Sequence, residues 1–319
     1  MNKKWLFHSA GEDLELVEGP DLTAGPDEVV IDVKAVGLCH SDVGVIETPG
    51  QFTAYSPIVL GHEIAGVVRE VGANVTGVEV GDRIGNGLIA HPIGANTTGA
   101  PGTTRDGGYQ QQAIVPASEI IKLPDGVSFA EGASATDSVA TAYHAVKVEG
   151  QVGPGSVVGI VGLGGLGMSA VQIAKLLGAR VYGADINEKA CARAEELGAD
   201  GTYASAAELA VHQPEVIFDF AGVGDTTADA IKAVGVGGKV VLIGLSNLTV
   251  TLDAHAMILG YKSLLTSLGT GKDEITQVYD LIDQGKIEMT IEEIGFDEIP
   301  AGLKRLSAGG VVGRLVATS

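Results

Sequence analysis

The chain has 319 residues, of which 45% are apolar and 19% charged, with 47 glycines. That suggests about two domains with ample core and excludes a disordered chain. Twenty basic against forty acidic side chains give a net charge of −20, which repels a nucleic-acid backbone and otherwise serves solubility. No run approaches the roughly 18 consecutive apolar residues of a membrane helix. The start, Met1-Asn2-Lys3-Lys4-Trp5-Leu6 followed by Glu12 and Asp13, has no apolar signal core. Neither nucleic acid nor membrane is expected as a partner. Two cysteines, Cys39 and Cys191, are too few for a disulfide framework or a four-cysteine zinc lobe. A cytoplasmic chain is expected, and any metal must be held mostly by His and carboxylates.

The first 125 residues read as short β-runs broken by Gly, Pro and Asp. Val29 to Val33, Ile64 to Val68 and Ile120 to Leu123 are strand candidates. Residues 94–108, small, polar and glycine-rich, form a loop. After Pro124 an Ala-rich run at 130–148 reads as a helix. Strand and helix then alternate. Val157 to Val161 is a continuous apolar run suited to a buried parallel strand. Met168 to Leu177 is a helix closed by Gly178, Arg180 to Ala184 a strand, and Glu188 to Leu197 a helix. Val216 to Phe220 and Lys239 to Ile243 are further strands. The series is βαβ and predicts a doubly wound α/β domain. Helices at Glu274 to Gln284 and Ile299 to Ser307 and a strand at Gly313 to Ala317 complete the chain.

Gly162-Leu163-Gly164-Gly165-Leu166-Gly167 follows a predicted strand and opens a predicted helix. In that context Gly162 makes the tight turn, Gly164 lets the backbone approach a pyrophosphate, and Gly167 lets helix and strand pack closely. The helix N-terminus then faces the phosphates. Asp185 ends the next strand, where a carboxylate accepts hydrogen bonds from the adenosine ribose and repels a 2′-phosphate. NAD is favoured over NADP, with a ligand-free glycine turn as the duller alternative.

Cys39 (in GLCHSD), His62 (in GHE) and Asp137 (in the Ala-rich run) are far apart in sequence, unlike the paired ligands of a zinc finger. Three ligands converging from distant elements leave one position open, as a catalytic zinc site requires. Each has a plainer reading alone. A single Cys is more often a small buried hydrophobe, a single His a satisfied polar group, and Asp137 a helix-bonding carboxylate.

The order GLCHSD, GHE before a strand, GDRI at 81–84, DGGYQQQAIVPA at 106–117 and then the glycine fingerprint resembles the medium-chain, zinc-dependent alcohol dehydrogenases. The resemblance runs through to Val312-Gly313-Arg314-Leu315-Val316. It is closest to bacterial members whose third zinc ligand is Asp rather than Cys. It implies a GroES-like β-rich catalytic domain over 1–141 and 270–319, and a Rossmann NAD-binding domain with a doubly wound parallel sheet over 142–269. It implies that Cys39, His62 and Asp137 bind one catalytic Zn²⁺ per chain. Glu63 would lie just outside the ligand set, or at times within it. Asp42 would hold the ring of His62, and Ser41 would take the substrate proton. Thr141 and Leu166 would pack around the nicotinamide, beside the cofactor-binding Gly162, Gly164, Gly165, Gly167 and Asp185. His40 and Arg314 would contact the pyrophosphate. Leu88 would line the substrate pocket with Ser41, although a core role fits Leu88 equally.

Two departures from the family pattern stand out. Gly44 occupies the position of a His that ends the proton relay in many members, so the relay must end otherwise, for example through the ribose hydroxyl and water. The structural-zinc lobe is missing, its place taken by the loop 94–108 without a cysteine, so no structural zinc is expected. The resemblance implies hydride transfer between NAD⁺ and an alcohol, small to medium-sized, apolar, primary or secondary, giving an aldehyde or ketone. A homodimer or homotetramer is expected. The alternatives are a zinc-free quinone or enoyl reductase and a non-catalytic NAD-binding protein. His91 and Tyr109 are placed in or beside loops near the cleft, with His91 read as solvated. Cys191 is read as packing. His8, His212 and His255 have no partner that the sequence identifies.

Overall fold

A computed structural model describes residues 1–50, 53–89, 91–94 and 99–319. Part of the expected loop, residues 95–98, lies outside the described residues. The chain divides into two units, Met1–Ala140 with Thr270–Gly285 and Met289–Ser319, and Thr141–Gly269 with Lys286–Glu288.

The first unit begins with β1 (Asn2–Phe7), β2 (Glu15–Gly19), β3 (Glu28–Leu38), α1 (His40–Glu47), β4 (Ile58–Val59), β5 (Glu63–Val71), β6 (Arg83–Asn86), β7 (Gln112–Pro116) and β8 (Ile120–Lys122). A small sheet has the order β2-β1-β4. In the larger sheet β3 is the hub. β5 pairs along its length from Val29 to Gly37, while β7 takes its first half and a C-terminal strand its second. That second partner carries β3 beyond the expected Val33 to Leu38, so the strand ends one residue before Cys39. Val29, Ile31, Leu38, Ile64 and Ile84 are at most 1% exposed in this core, each worth about 1.5–3 kcal/mol of apolar burial.

The Ala-rich run is helical but not uniformly α. α2 (Phe129–Ser134) is opened by a reciprocal pair in which Ser128 Oγ accepts from Glu131 N and Glu131 accepts from Ser128 N. Ala135–Val139 widens into a π turn, α3 (Ala140–Tyr143) follows, and His144–Glu149 widens again. Thr136 Oγ1 donates to the Ala133 carbonyl and Ser138 Oγ to that of Ser134. These hydroxyls compete for acceptors that the backbone ladder would otherwise use. Asp137 lies inside the first widened turn.

The second unit contains β9 (Val157–Val161), α4 (Gly165–Leu176), β10 (Arg180–Ala184), α5 (Glu188–Glu196), β11 (Gly201–Tyr203), β12 (Val216–Asp219), α6 (Thr226–Ala233), β13 (Lys239–Leu242), α7 (Ala254–Leu259) and β14 (Ser263–Thr266). Its six-stranded sheet has the order β11-β10-β9-β12-β13-β14, parallel throughout. This is the doubly wound sheet expected from the alternation. The first unit is completed by α8 (Lys272–Asp283), β15 (Ile291–Gly295), α9 (Ile299–Ser307) and β16 (Arg314–Thr318). β1, β2, β11, β14 and β15 carry no clear sequence signal, being short or half-exposed and in several cases charged. Pairing with stronger neighbours makes them strands. Among the described residues no helix is long and apolar enough to cross a membrane.

The strand order reverses between β9 and β12, and a carboxylate organises the far side of that point. Asp219 is fully buried at the end of β12. It accepts from Ala221 N, Gly222 N, Thr226 Oγ1 and Thr227 Oγ1 at 2.7–3.1 Å. The loop it gathers packs on the glycine turn. A Cβ on Gly162, whose φ is +85°, would fall 2.8 Å from Ala221 N. Asp219→Ala orphans four donors and is expected to cost about 3 kcal/mol of stability, measured by urea unfolding, and to weaken NADH binding with it.

Candidate metal centre and nucleotide turn

The register of β3 against β5 builds the first half of the metal centre. Gly37 pairs with Glu63 in antiparallel sense, so Cys39, just past the end of β3, comes beside His62, just before the start of β5. The widened turn brings Asp137 to the same place. Cys39, His62, Glu63 and Asp137 are all buried, and each offers a ligand atom within 4.8 Å of the others. Asp137 Oδ2 lies 3.7 Å from Cys39 Sγ and 3.5 Å from His62 Nε2. A tetrahedral ion with bonds of about 2.0–2.3 Å holds its ligand atoms about 3.3–3.8 Å apart. The thiol, imidazole and carboxylate therefore fit a zinc ion in both chemistry and spacing.

Glu63 is differently engaged. Its carboxylate is fully buried and forked by Arg314, with Nε at 3.0 Å from Oε2 and Nη2 on Oε1. Gly37 leaves the room, since a Cβ there would fall 1.8 Å from Glu63 Oε2. Arg314 is 4% exposed, and its Nη2 also reaches Asp137 Oδ2 at 3.4 Å. The residue expected at a pyrophosphate thus sits among the carboxylates of the metal centre.

Asp42, in the first turn of α1, lies behind the ligands. Its Oδ1 is 3.4 Å from His62 Nδ1 and accepts from Gly61 N, while Oδ2 accepts from Cys39 N and Tyr109 Oη. This leaves Nε2 of His62 turned to Asp137. Burial opposes ionisation of Asp42, but the His62 charge and these hydrogen bonds hold its carboxyl below the usual range. Burial would likewise depress His62, but Asp42 and Cys39 raise it well above its ordinary value. For the Cys39 thiol burial works upward, and Arg314 and His62 outweigh it and favour the thiolate. A cation binding here would displace protons shared among these groups.

Ser41 is exposed on α1, its Oγ 3.5 Å from Cys39 Sγ, and His40 is exposed at the helix start. Leu88 is 4% exposed. Tyr109, read as a loop residue, is fully buried. His91 is half-buried, and Cys191 is half-buried with Sγ 3.4 Å from the Asp185 carbonyl. His8 pairs with Glu15, and His212 stacks on Tyr182 and bonds Tyr203. In the second unit the glycine turn opens α4 with Gly164 as its N-cap. Asp185 closes β10 and does more than wait for a ribose. Its Oδ2 accepts from Leu163 N at 2.7 Å and its Oδ1 from Asn187 N at 2.8 Å, so it also braces the turn. Thr141 is buried, and Leu166 is half-buried in the first turn of α4. The roles of Tyr109 and Arg314 toward their neighbours left no local signal, because each depends on a partner from a distant segment; Asp219 was missed although its partners Ala221, Gly222, Thr226 and Thr227 follow it closely in sequence.

The described part of the loop 94–108 is held by an ion pair. Arg105 bonds the Gly99 carbonyl and Glu119, whose side chain is 14% exposed. Burial pushes the Glu119 carboxyl from 4.5 up to about 7 against the pull of Arg105. The folded chain therefore keeps a proton that the unfolded chain releases above pH 4.5. The stabilisation this group gives at low pH is lost as pH rises through about 7, by at most about 3 kcal/mol before solvent screening reduces it. Melting wild type and Glu119→Gln at pH 5 and pH 8 should show the difference moving in favour of the variant at the higher pH.

A buried Cys-His-Asp cluster in a β-rich unit, joined to a doubly wound unit with a dinucleotide turn, defines a zinc- and NAD-using oxidoreductase. Residues 25–125 match the family described as Alcohol dehydrogenase GroES-like domain, and residues 165–284 the one described as Zinc-binding dehydrogenase. An alcohol dehydrogenase of Geobacillus stearothermophilus is 31% identical, over 95% of this chain and 94% of the relative. A probable mannitol dehydrogenase of Stylosanthes humilis is 30% identical, over 91% and 88%. The structure of acetophenone reductase from Geotrichum candidum in complex with NAD superposes with a TM-score of 0.92 at 31% identity, covering 100% of this chain and 97% of that one. The chain belongs to the medium-chain, zinc-binding alcohol dehydrogenases, and it is an NAD-dependent alcohol dehydrogenase.

Proposed function

We propose that the chain interconverts small to medium, apolar, primary or secondary alcohols with their aldehydes or ketones, at one zinc held by Cys39, His62 and Asp137. The spacing of Sγ, Nε2 and Oδ2 around one point carries this reading. Cys39 thiolate and Asp137 carboxylate bring two negative charges against a dication, and His62 adds none when neutral. When bound there, zinc supplies Lewis acidity, lowering the pKa of an alcohol hydroxyl and polarising a carbonyl in the reverse direction. Ser41 Oγ accepts the hydroxyl proton. Gly44 offers no side chain to pass it on, so the onward path of that proton does not run through a side chain at this position. Asp42 fixes the His62 tautomer. Glu63 is the counter-ion of Arg314 rather than a fourth ligand. Gly162, Gly164, Gly165 and Gly167 would take the pyrophosphate with His40, Asp185 would take the ribose, and Thr141 and Leu166 would flank the nicotinamide. Leu88 gives the substrate an apolar wall. Arg314 is committed to carboxylates, so an uncharged substrate suits the site. The catalytic domain comprises 1–141 and 270–319 and the NAD-binding domain 142–269. The cytoplasm suits a Cys39 that must stay reduced, and both cysteines are free.

Elemental analysis tests this first. Wild type should carry one zinc per chain. Asp137→Ala should lose it, with NAD-dependent oxidation of a short secondary alcohol falling more than about a hundredfold. A zinc-free wild type would return the zinc-free reductase reading.

We infer that the chain is a homo-oligomer, a dimer or a tetramer. β14 is an outer strand of its sheet among the described residues, and Ile258, Leu259 and Tyr261 just before it are 65–79% exposed. A free strand edge beside exposed apolar side chains favours pairing with a second copy. Sedimentation should give a dimer or tetramer for wild type and a smaller species for Ile258→Glu with Tyr261→Glu. A monomeric wild type would refute it.

A further inference from the structure

We propose that Tyr109 is a positioning residue for the metal centre, setting the direction of His62 through Asp42 and through Gly61. The inference rests on the reading of Cys39, His62 and Asp137 as the zinc ligands. Tyr109 comes from a third segment, distant from both ligand-bearing turns it supports. Gly107, Gly108 and Tyr109 run beside the residues that lead into His62. Gly107 N donates to the Val59 carbonyl at 2.7 Å, Gly108 N to that of Gly61 at 2.7 Å, and Tyr109 N to that of Leu60 at 3.0 Å.

The ring and the hydroxyl act separately. The ring lies flush on Gly61, whose φ is +89°, and a Cβ on that glycine would fall 2.5 Å from Tyr109 Cδ1. The ring thereby holds the turn that aims His62. The hydroxyl donates to Asp42 Oδ2 at 2.9 Å. An ionised carboxylate has about four acceptor sites. Those of Asp42 meet Tyr109 Oη, Cys39 N, Gly61 N and the Nδ1 edge of His62. One buried carboxylate thus ties both ligand turns together, and Tyr109 stops it rotating. Tyr109 is fully buried and Asp42 is 3% exposed, so no bulk water replaces the lost donor.

Tyr109→Phe keeps the ring and removes the hydroxyl. The test is zinc affinity by competition with a chromogenic chelator, and the absorption bands of the cobalt-loaded protein, with melting of the metal-free proteins as a check on folding. The Phe variant should bind zinc about tenfold more weakly, at the low end for groups outside the ligand set, and shift the cobalt bands. In an Asp42→Ala background, which leaves no acceptor for Tyr109 Oη, the same substitution should change affinity less than twofold, because its route to His62 is already cut. Unchanged affinity and bands in Tyr109→Phe, with one zinc in wild type, would overturn the role of Tyr109 and leave the ligand reading standing. An equal loss in the Asp42→Ala background would also overturn it, since the effect would then be general loosening. A wild type that binds neither metal would overturn the ligand reading beneath it.

Discussion

Three carboxylates, Asp42, Glu63 and Asp137, are buried with the Cys39 thiol and the His62 imidazole, and Arg314 is the one permanent cation among these six side chains. Charge removed from water must be compensated, or the fold bears several kcal/mol for each uncompensated group. Arg314 balances Glu63 and touches Asp137. Asp42 is balanced by four hydrogen-bonding contacts. What remains is a negative excess centred on Cys39 and Asp137, where a dication fits by charge as well as by spacing. Most of the first unit serves that concentration of charge. Gly37 gives Glu63 its space, β16 brings in Arg314, and the widened helical turn delivers Asp137.

The second unit solves a related problem with carboxylates alone. Asp185 and Asp219 stand at the ends of β10 and β12, on either side of β9. Each accepts backbone N–H groups of a tight turn, Asp185 from Leu163 and Asp219 from Ala221 and Gly222. The glycine turn between them is therefore braced from one flank and packed on the other. Glycines make such a turn possible, while the acids hold it in one conformation before a ligand arrives, which limits the ordering cost of binding.

The loop without cysteines is the clearest departure from the family pattern, and its described part is not slack. Arg105 ties it to the Gly99 carbonyl and Glu119, and Gly107 to Tyr109, just beyond, lie against the turn before His62. Tyr109 joins loop to ligand turns by its ring, its backbone N–H to the Leu60 carbonyl and its hydroxyl to Asp42. In the second unit, among the described residues, β14 is an outer strand with Ile258, Leu259 and Tyr261 exposed just before it.

By itself the sequence determined the elements whose signals are local. The apolar run Val157–Val161, the glycine turn and Asp185 follow from periodicity and the conformational needs of a dinucleotide turn. The candidate metal-binding set Cys39, His62 and Asp137 follows from those residues taken with the surrounding motifs. Weak strands such as β1 and β15 could not be read, because half-exposed, charged residues become strands only when a partner takes up their hydrogen bonds. The pairing of Arg314 with Glu63 and the place of Tyr109 behind Asp42 were decided by tertiary structure alone. Each joins residues from separate elements, and the physical demand behind it, an acceptor for every buried donor and a counter-charge for every buried ion, is set by burial that exists only once the chain has folded.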